Sequence, residues 1–87
     1  LRERLLRFYP AELRARGVDG NATVRMRLSP GGRLSRLRLV TETTAGFGQA
    51  CLDMLEESSG TWDDVHDRDG NVVATTVSFT CTFSLRF

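Results

Sequence analysis

The C-terminal end of the chain alternates inward and outward residue types over an unusually long stretch. A period of two residues is typical of a β-strand with one buried face, and ordinary strands average only about five or six residues. One parity, predicted to face the core, consists of Val73, Thr75, Val77, Phe79, Cys81, Phe83, Leu85 and Phe87. The other parity consists of Ala74, Thr76, Ser78, Thr80, Thr82, Ser84 and Arg86. Such a strand belongs in an antiparallel sheet that is covered on one side only.

A second alternating pattern lies upstream and predicts a hairpin. Asn21–Ser29 and Leu34–Val40 read as two strands, and Pro30-Gly31-Gly32 between them has turn chemistry. The predicted inward residues are Val24, Met26, Leu28, Leu37 and Leu39. The predicted outward residues are Arg25, Arg27, Arg36 and Arg38, which would share the open face of the sheet. We expect that face to be solvated, with contact to an acidic partner or a polyanion as the alternative.

Two helices complete the pattern. Pro10–Arg16 predicts a short helix with Gly17 as its left-handed C-terminal cap. A second helix is predicted to begin within Thr43–Ala45 and to end at Ser58-Ser59-Gly60. Its apolar stripe consists of Phe47, Ala50, Cys51, Met54 and Leu55. Trp62 is expected over the edge of the core, and Asp67–Gly70 is expected to form a turn.

The resulting element order, α-β-β-α-β, predicts an α+β two-layer sandwich. It has a three-stranded antiparallel sheet with two helices on one face, and the last strand lies beside the first and therefore on an edge. Val77, Phe79 and Phe83 are expected to be buried with the hairpin's inward residues under Phe47, Met54 and Leu55.

Length and charge limit the possible functions. The 87 residues make one small domain, and no apolar run is long enough to span a membrane. No signal peptide is visible. The chain begins abruptly with Leu1-Arg2-Glu3-Arg4, so we expect a domain cut from a longer protein. Residues 1–40 carry a charge balance of +7 and residues 41–87 one of −6. We expect the two halves to lie side by side and neutralise each other, rather than the basic half to bind nucleic acid.

Candidate catalytic and metal-binding residues are few. His66 is the only histidine and lies in an acidic turn, where we expect a solvated loop residue. The spacing of Asp63, Asp64, Asp67 and Asp69 can hint at calcium, but the cluster lacks the 12-residue calcium loop with its closing glutamate. No enzyme activity, cofactor or metal is therefore predicted. Cys51 and Cys81 are both predicted to face the core, which leaves open a disulfide or two buried thiols.

The order of these features resembles the C-terminal domain of the TonB family, the periplasmic end of bacterial energy transducers. The order is Tyr9-Pro10 before a short helix, Gly17-Val18-Asp19-Gly20, the Pro30-Gly31-Gly32 hairpin, an amphipathic helix, Trp62 and a long last strand. The resemblance implies a TonB-like domain over residues 9–87, with residues 1–8 as an N-terminal arm or linker end. It also implies an oxidising compartment, which favours a Cys51–Cys81 disulfide.

The resemblance implies a partner and a place for it. Family members add a segment of an outer-membrane transporter, the TonB box, to the last strand by β-augmentation, and inner-membrane motor proteins act through other segments. Carried over to this chain, the partner-binding residues are Tyr9, Pro10, Thr75, Thr76, Val77, Ser78, Phe79, Thr80, Thr82 and Ser84. The implied location is the periplasm, in a protein anchored to the inner membrane. The alternatives are a structural module of another trans-envelope machine and a homodimer through the edge strand.

Overall fold

A computed structural model describes residues 7–84 and contains the predicted antiparallel sheet. The strand order in the main sheet is β2-β1-β5, with both helices on one face. The predictions that Leu85 and Phe87 face the core, and that the chain begins with an N-terminal arm, concern residues 85–87 and 1–6, which lie outside the described residues. The elements are α1 (Ala11–Ala15), β1 (Gly20–Ser29), β2 (Arg33–Glu42), α2 (Phe47–Ser58), β3 (Val65–His66), β4 (Val72–Val73) and β5 (Thr75–Phe83).

Strand β2 is interrupted twice by β-bulges. Arg25 pairs with Arg38 while Arg27 pairs with Ser35, so two steps along β1 match three along β2. Arg36 lies at this bulge with φ of 52°, a region that non-glycine residues seldom adopt. A second bulge leaves Val40 without a partner on β1 and 51% exposed. Bulges bend and twist a strand, so the outer edge of β2 is irregular.

The predicted C-terminal strand is divided at Ala74. Val72–Val73 pairs with Val65–His66 as a separate two-stranded sheet, and the main strand runs only over Thr75–Phe83. The expectation of one uninterrupted strand from Val73 was therefore wrong, although the predicted turn at Asp67–Gly70 is present. Alternation continues through Ala74, so the side-chain pattern gave no sign that the backbone changes partner there.

Helix α2 covers the inner face of the sheet with its predicted stripe. It begins at Phe47 rather than within Thr43–Ala45, because Gly46 at its N-cap has φ of 110° and breaks the helical path. Its backbone lies close to β2: a Cβ on Gly48 would come within 2.4 Å of the Leu39 side chain. The five stripe residues Phe47, Ala50, Cys51, Met54 and Leu55 are all buried, as the period predicts.

The core contains most of the predicted residues. The Phe47 and Phe83 rings stack with centroids 4.8 Å apart, and Val24, Met26 and Leu28 are buried beneath α2. Four predicted core residues are only half-buried and pack at its margin: Leu37, Leu39, Val77 and Phe79. Trp62 packs edge-on against Phe79 at 5.5 Å, over the edge of the core as predicted.

A disulfide joins the two layers of the sandwich. Cys51 of α2 and Cys81 of β5 are both fully buried, and their Cα atoms are 5.8 Å apart. The bond fixes β5 to the helix layer and confirms the pairing that the resemblance favoured.

Helix α1 ends as predicted, although it spans only Ala11–Ala15. Gly17 has φ of 67°, and the N–H groups of Gly17 and Val18 donate to the carbonyls of Arg14 and Leu13. These bonds form a Schellman motif, which satisfies carbonyls that the end of a helix would otherwise leave free.

Candidate docking edge

Strand β5 presents a regular edge on the outside of the main sheet. Its nine residues pair with β1 in unbroken register, from Gly20 with Phe83 to Leu28 with Thr75. Within residues 7–84, no strand pairs with its other side. The opposite edge, on β2, is broken by two bulges. Since bulges protect an edge against added strands, β5 is the less protected of the two edges.

The direction of the β5 amides follows from one hydrogen bond on β1. The carbonyl of Asn21 accepts from the N–H of Thr43, 2.9 Å away on the β2 side. Backbone groups of successive strand residues point alternately to opposite sides, so Ala22 and its even-numbered neighbours face β5. Their partners on β5, which include Cys81, Phe79 and Val77, bond to β1. The N–H and C=O groups of Thr76, Ser78, Thr80 and Thr82 therefore point to the free edge.

The same four residues carry hydroxyl side chains on the open face of the sheet. All four are exposed, and the Thr80 hydroxyl lies 2.9 Å from that of Thr23 on β1. Short hydroxyl side chains, three of them on β-branched threonines, suit a solvated strand. They keep the edge polar and leave its backbone groups accessible.

Four arginines occupy the rest of this open face: Arg25, Arg27, Arg36 and Arg38, the arginine quartet. All four are exposed, and Arg25 lies directly opposite Arg38 across the β1–β2 ladder. The ion pairs among residues 7–84 use other arginines, joining Arg7 to Glu57 and Arg16 to Glu12. The quartet is thus unpaired in the part of the chain that the structure describes.

The two charged halves neutralise each other only in part: Arg7 pairs with Glu57, whereas the quartet and the acids of α2 lie on opposite sides of the sheet. The exposed acids of α2 are Asp53, Glu56 and Glu57, and they lie off the buried stripe, on the helix side of the molecule. The quartet lies on the other side of the sheet. The sequence could not show this because it places charges along the chain and not on opposite faces of a folded layer.

Tyr9 and Pro10 are positioned by the core. Tyr9 is only 6% exposed and packs edge-on against Phe47 and Phe83, while Pro10 is half-buried beside Gly46. The Tyr9 hydroxyl donates to the carbonyl of Val18 and lies 3.3 Å from the Asp19 carboxylate. Burial raises the pKa of Tyr9, and the charge and hydrogen bond of Asp19 raise it further. This tyrosine therefore has a structural role, and its contact with a partner stays a prediction.

The acidic segment after α2 has structural contacts of its own. Asp64 accepts from the N–H of Gly31 at 2.8 Å, which ties the β1–β2 turn to this loop. Asp67 accepts from the N–H groups of Asp69 and Asn71 and so shapes the β3–β4 turn. His66 is exposed within β3. These hydrogen bonds explain the positions of the Asp64 and Asp67 carboxylates without a bound ligand.

Comparison with known proteins identifies the family. The family of Gram-negative bacterial TonB protein C-terminal domains matches residues 7–85. This chain belongs to the TonB C-terminal domain family. The solution structure of the TonB C-terminal domain from Helicobacter pylori has the same fold, with a TM-score of 0.70 at 14% identity over 98% of this chain and 80% of that one. A search among curated proteins found no match.

Membership of the TonB family makes this a periplasmic interaction domain. TonB C-terminal domains contact outer-membrane transporters and are interaction domains rather than enzymes. Among the described residues, no helix has the length and apolar character needed to cross a membrane.

Proposed function

We propose that the free edge of β5 receives a short segment of an outer-membrane transporter as an added strand. The observation that carries the proposal is the contrast between the two edges: β5 is unbroken over nine residues, whereas β2 has two bulges. Main-chain hydrogen bonds to Thr76, Ser78, Thr80 and Thr82 would supply the affinity and demand little of the partner's sequence.

In this proposal the domain transmits force and performs no chemistry. Residues upstream of the domain would anchor it in the inner membrane and couple it to an ion-driven motor. The Cys51–Cys81 disulfide supports this role because it ties the docking strand covalently to the helix layer. Tyr9 packs against Phe83 at the end of β5, and Pro10 lies beside Gly46. The docking strand also contains Thr75, Val77 and Phe79, and Ser84 follows it directly.

A pair of proline variants tests strand addition. Proline removes a backbone donor, so its effect depends on where that donor points. We expect Ser78→Pro to keep the melting temperature near that of the wild type and to lose affinity for transporter peptides. Phe79→Pro, one residue along, should break the ladder to β1 and lower the melting temperature strongly. Isothermal calorimetry and thermal unfolding measure the two quantities.

Two outcomes would contradict the proposal. One is a folded Ser78→Pro domain that binds transporter peptides as tightly as the wild type. The other is a wild-type domain that binds no such peptide at a concentration where it is monomeric. Because a second copy could occupy the same edge, the oligomeric state has to be measured alongside by sedimentation.

A further inference from the structure

We propose that two members of the arginine quartet, Arg25 and Arg27 of β1, bind carboxylate side chains of the segment that docks on β5, at two positions that lie two residues apart. The inference rests on the proposed strand addition and names the chemistry of the partner. The free domain carries an electrostatic cost on its open face. Arg25 and Arg38 are a directly opposed cross-strand pair, and like charges in that position destabilise a sheet. No carboxylate among the described residues offsets this cost.

The quartet and the docking edge share one depression. Its lining includes all four arginines and Thr76, a residue whose backbone groups point to the free edge. The depression has a volume of about 420 Å³. The bulge at Arg36 bends β2 beside it. Only β5 therefore separates a ligand in this depression from a strand that pairs with β5.

The register allows the arginines of β1 to reach such a strand. Arg25 lies opposite Ser78, and Arg27 lies opposite Thr76. Neighbouring strands are about 4.8 Å apart, so an added strand would lie about 9.6 Å from β1. The intervening side chains are short hydroxyl residues, which leave the path between β1 and the new strand clear. A long arginine and a glutamate can meet across this distance.

The chemistry of the face favours carboxylates on a polypeptide over other anions. Guanidinium groups bind carboxylates through paired hydrogen bonds. Around the quartet the exposed face of β5 carries hydroxyls and no aromatic side chain on which a nucleobase could stack. It also lacks a cluster of exposed apolar side chains that would enter a lipid layer. Residues of an added strand that face Thr76 and Ser78 are two apart, which sets the spacing of the carboxylates.

Two synthetic peptides test the inference. Both alternate threonine and valine over nine residues, the length of β5. In one, two threonines that are two residues apart are replaced by glutamate, and in the other the same two are replaced by glutamine. We expect the glutamate peptide to bind the wild type about 3–10-fold more tightly, since exposed ion pairs contribute little each. This advantage should largely vanish at about 1 M salt, where screening acts over roughly 3 Å.

Matched variants locate the effect. The double variant Arg25→Gln/Arg27→Gln should bind both peptides with the affinity of the glutamine peptide. The control Arg14→Gln/Arg68→Gln removes the same charge from exposed positions on α1 and in the β3–β4 turn and should keep the preference. An equal loss of preference in the control would show general charge attraction and overturn the inference.

The remaining outcomes separate the inference from strand addition itself. If both peptides bind equally and Ser78→Pro abolishes that binding, the proposed carboxylate recognition is overturned and docking on the β5 edge stands. Failure of both peptides to bind would overturn both proposals. Binding of the quartet to phosphatidylglycerol vesicles, without a preference for the glutamate peptide, would assign the face to lipid and also overturn the inference.

Discussion

Tyr9 connects the N-terminal segment to the core through its ring and its hydroxyl. The ring lies edge-on to Phe47 at 5.7 Å and to Phe83 at 5.5 Å, and the hydroxyl donates to Val18. Burial disfavours the charged phenolate, and Asp19 adds repulsion, so the pKa of Tyr9 is raised. The chain contains this one tyrosine and no lysine, so few other side chains titrate in the same alkaline pH range.

The raised pKa of Tyr9 predicts a loss of stability at alkaline pH. Below about pH 10, the usual pKa of tyrosine, Tyr9 is neutral in both the folded and the unfolded state. Its full contribution to the free energy of unfolding is then present. Above that pH the unfolded chain releases the proton first, so the free energy of unfolding falls as pH rises. We expect urea unfolding at several pH values to show this decline in the wild type and a weaker decline in Tyr9→Phe. A decline of equal steepness in both would contradict the assignment.

The Cys51–Cys81 disulfide closes a loop with a sequence separation of 30 residues. In the chain-entropy model, such a loop stabilises a fold by about 3–4 kcal/mol. Since 1 kcal/mol corresponds to roughly 4–8 °C for a domain of this size, Cys51→Ala/Cys81→Ala should melt more than about 12 °C lower. Thermal unfolding with and without reductant checks this. The wild type in reductant should approach the double variant, and a wild type indifferent to reductant would contradict the bond.

At the scale of elements, β5 is buried unequally along its length. Phe83 is 1% exposed beside Phe47, whereas Phe79 lies half-buried at the margin against Trp62. We therefore expect Phe83→Ala to cost about 3–5 kcal/mol and Phe79→Ala to cost less. Denaturant unfolding of the two variants gives the comparison. A larger loss for Phe79→Ala would mean that the helix layer covers the other end of β5.

In the predicted hairpin, the alternation of side chains predicts the buried face of β1 throughout but not that of β2. On β1 the inward residues Val24, Met26 and Leu28 keep one parity and are buried as predicted. On β2 the inward residues change parity, from Leu34 to Leu37 and Leu39. That odd spacing was visible in the sequence and marks the bulge at Arg36. Its physical basis is that one extra residue inverts the faces of a strand.

The docking edge was only partly predictable. The order of the elements placed the last strand at an edge, and its alternation identified Thr76, Ser78 and Thr80 as outward residues. The side-chain pattern does not show which amides point to the free edge. Side chains and backbone N–H groups both alternate every two residues, so either parity of amide fits the same pattern. The hydrogen bond between Asn21 and Thr43 supplied that direction. The small β3–β4 sheet was missed since its strands have two residues each.

At the scale of the whole molecule, the two faces of the sheet differ in composition and charge. One face holds the helix layer, the core and the acidic surface of α2. The other holds the arginine quartet and the exposed hydroxyl side chains of β5. An acidic segment would be attracted to the open face and kept from the helix side. Such charge separation speeds association and orients the partner. The β5 edge lies where these two faces meet.

Amide hydrogen exchange along β5 tests the central claim most directly. In the free, monomeric domain, the outward amides of Thr76, Ser78, Thr80 and Thr82 should exchange fast, whereas those of Val77, Phe79 and Cys81 are protected by β1. On saturation with a transporter peptide, the outward amides should become protected while the inward ones change little. If the outward amides keep exchanging fast in the saturated complex, the transporter segment does not dock as a strand on β5.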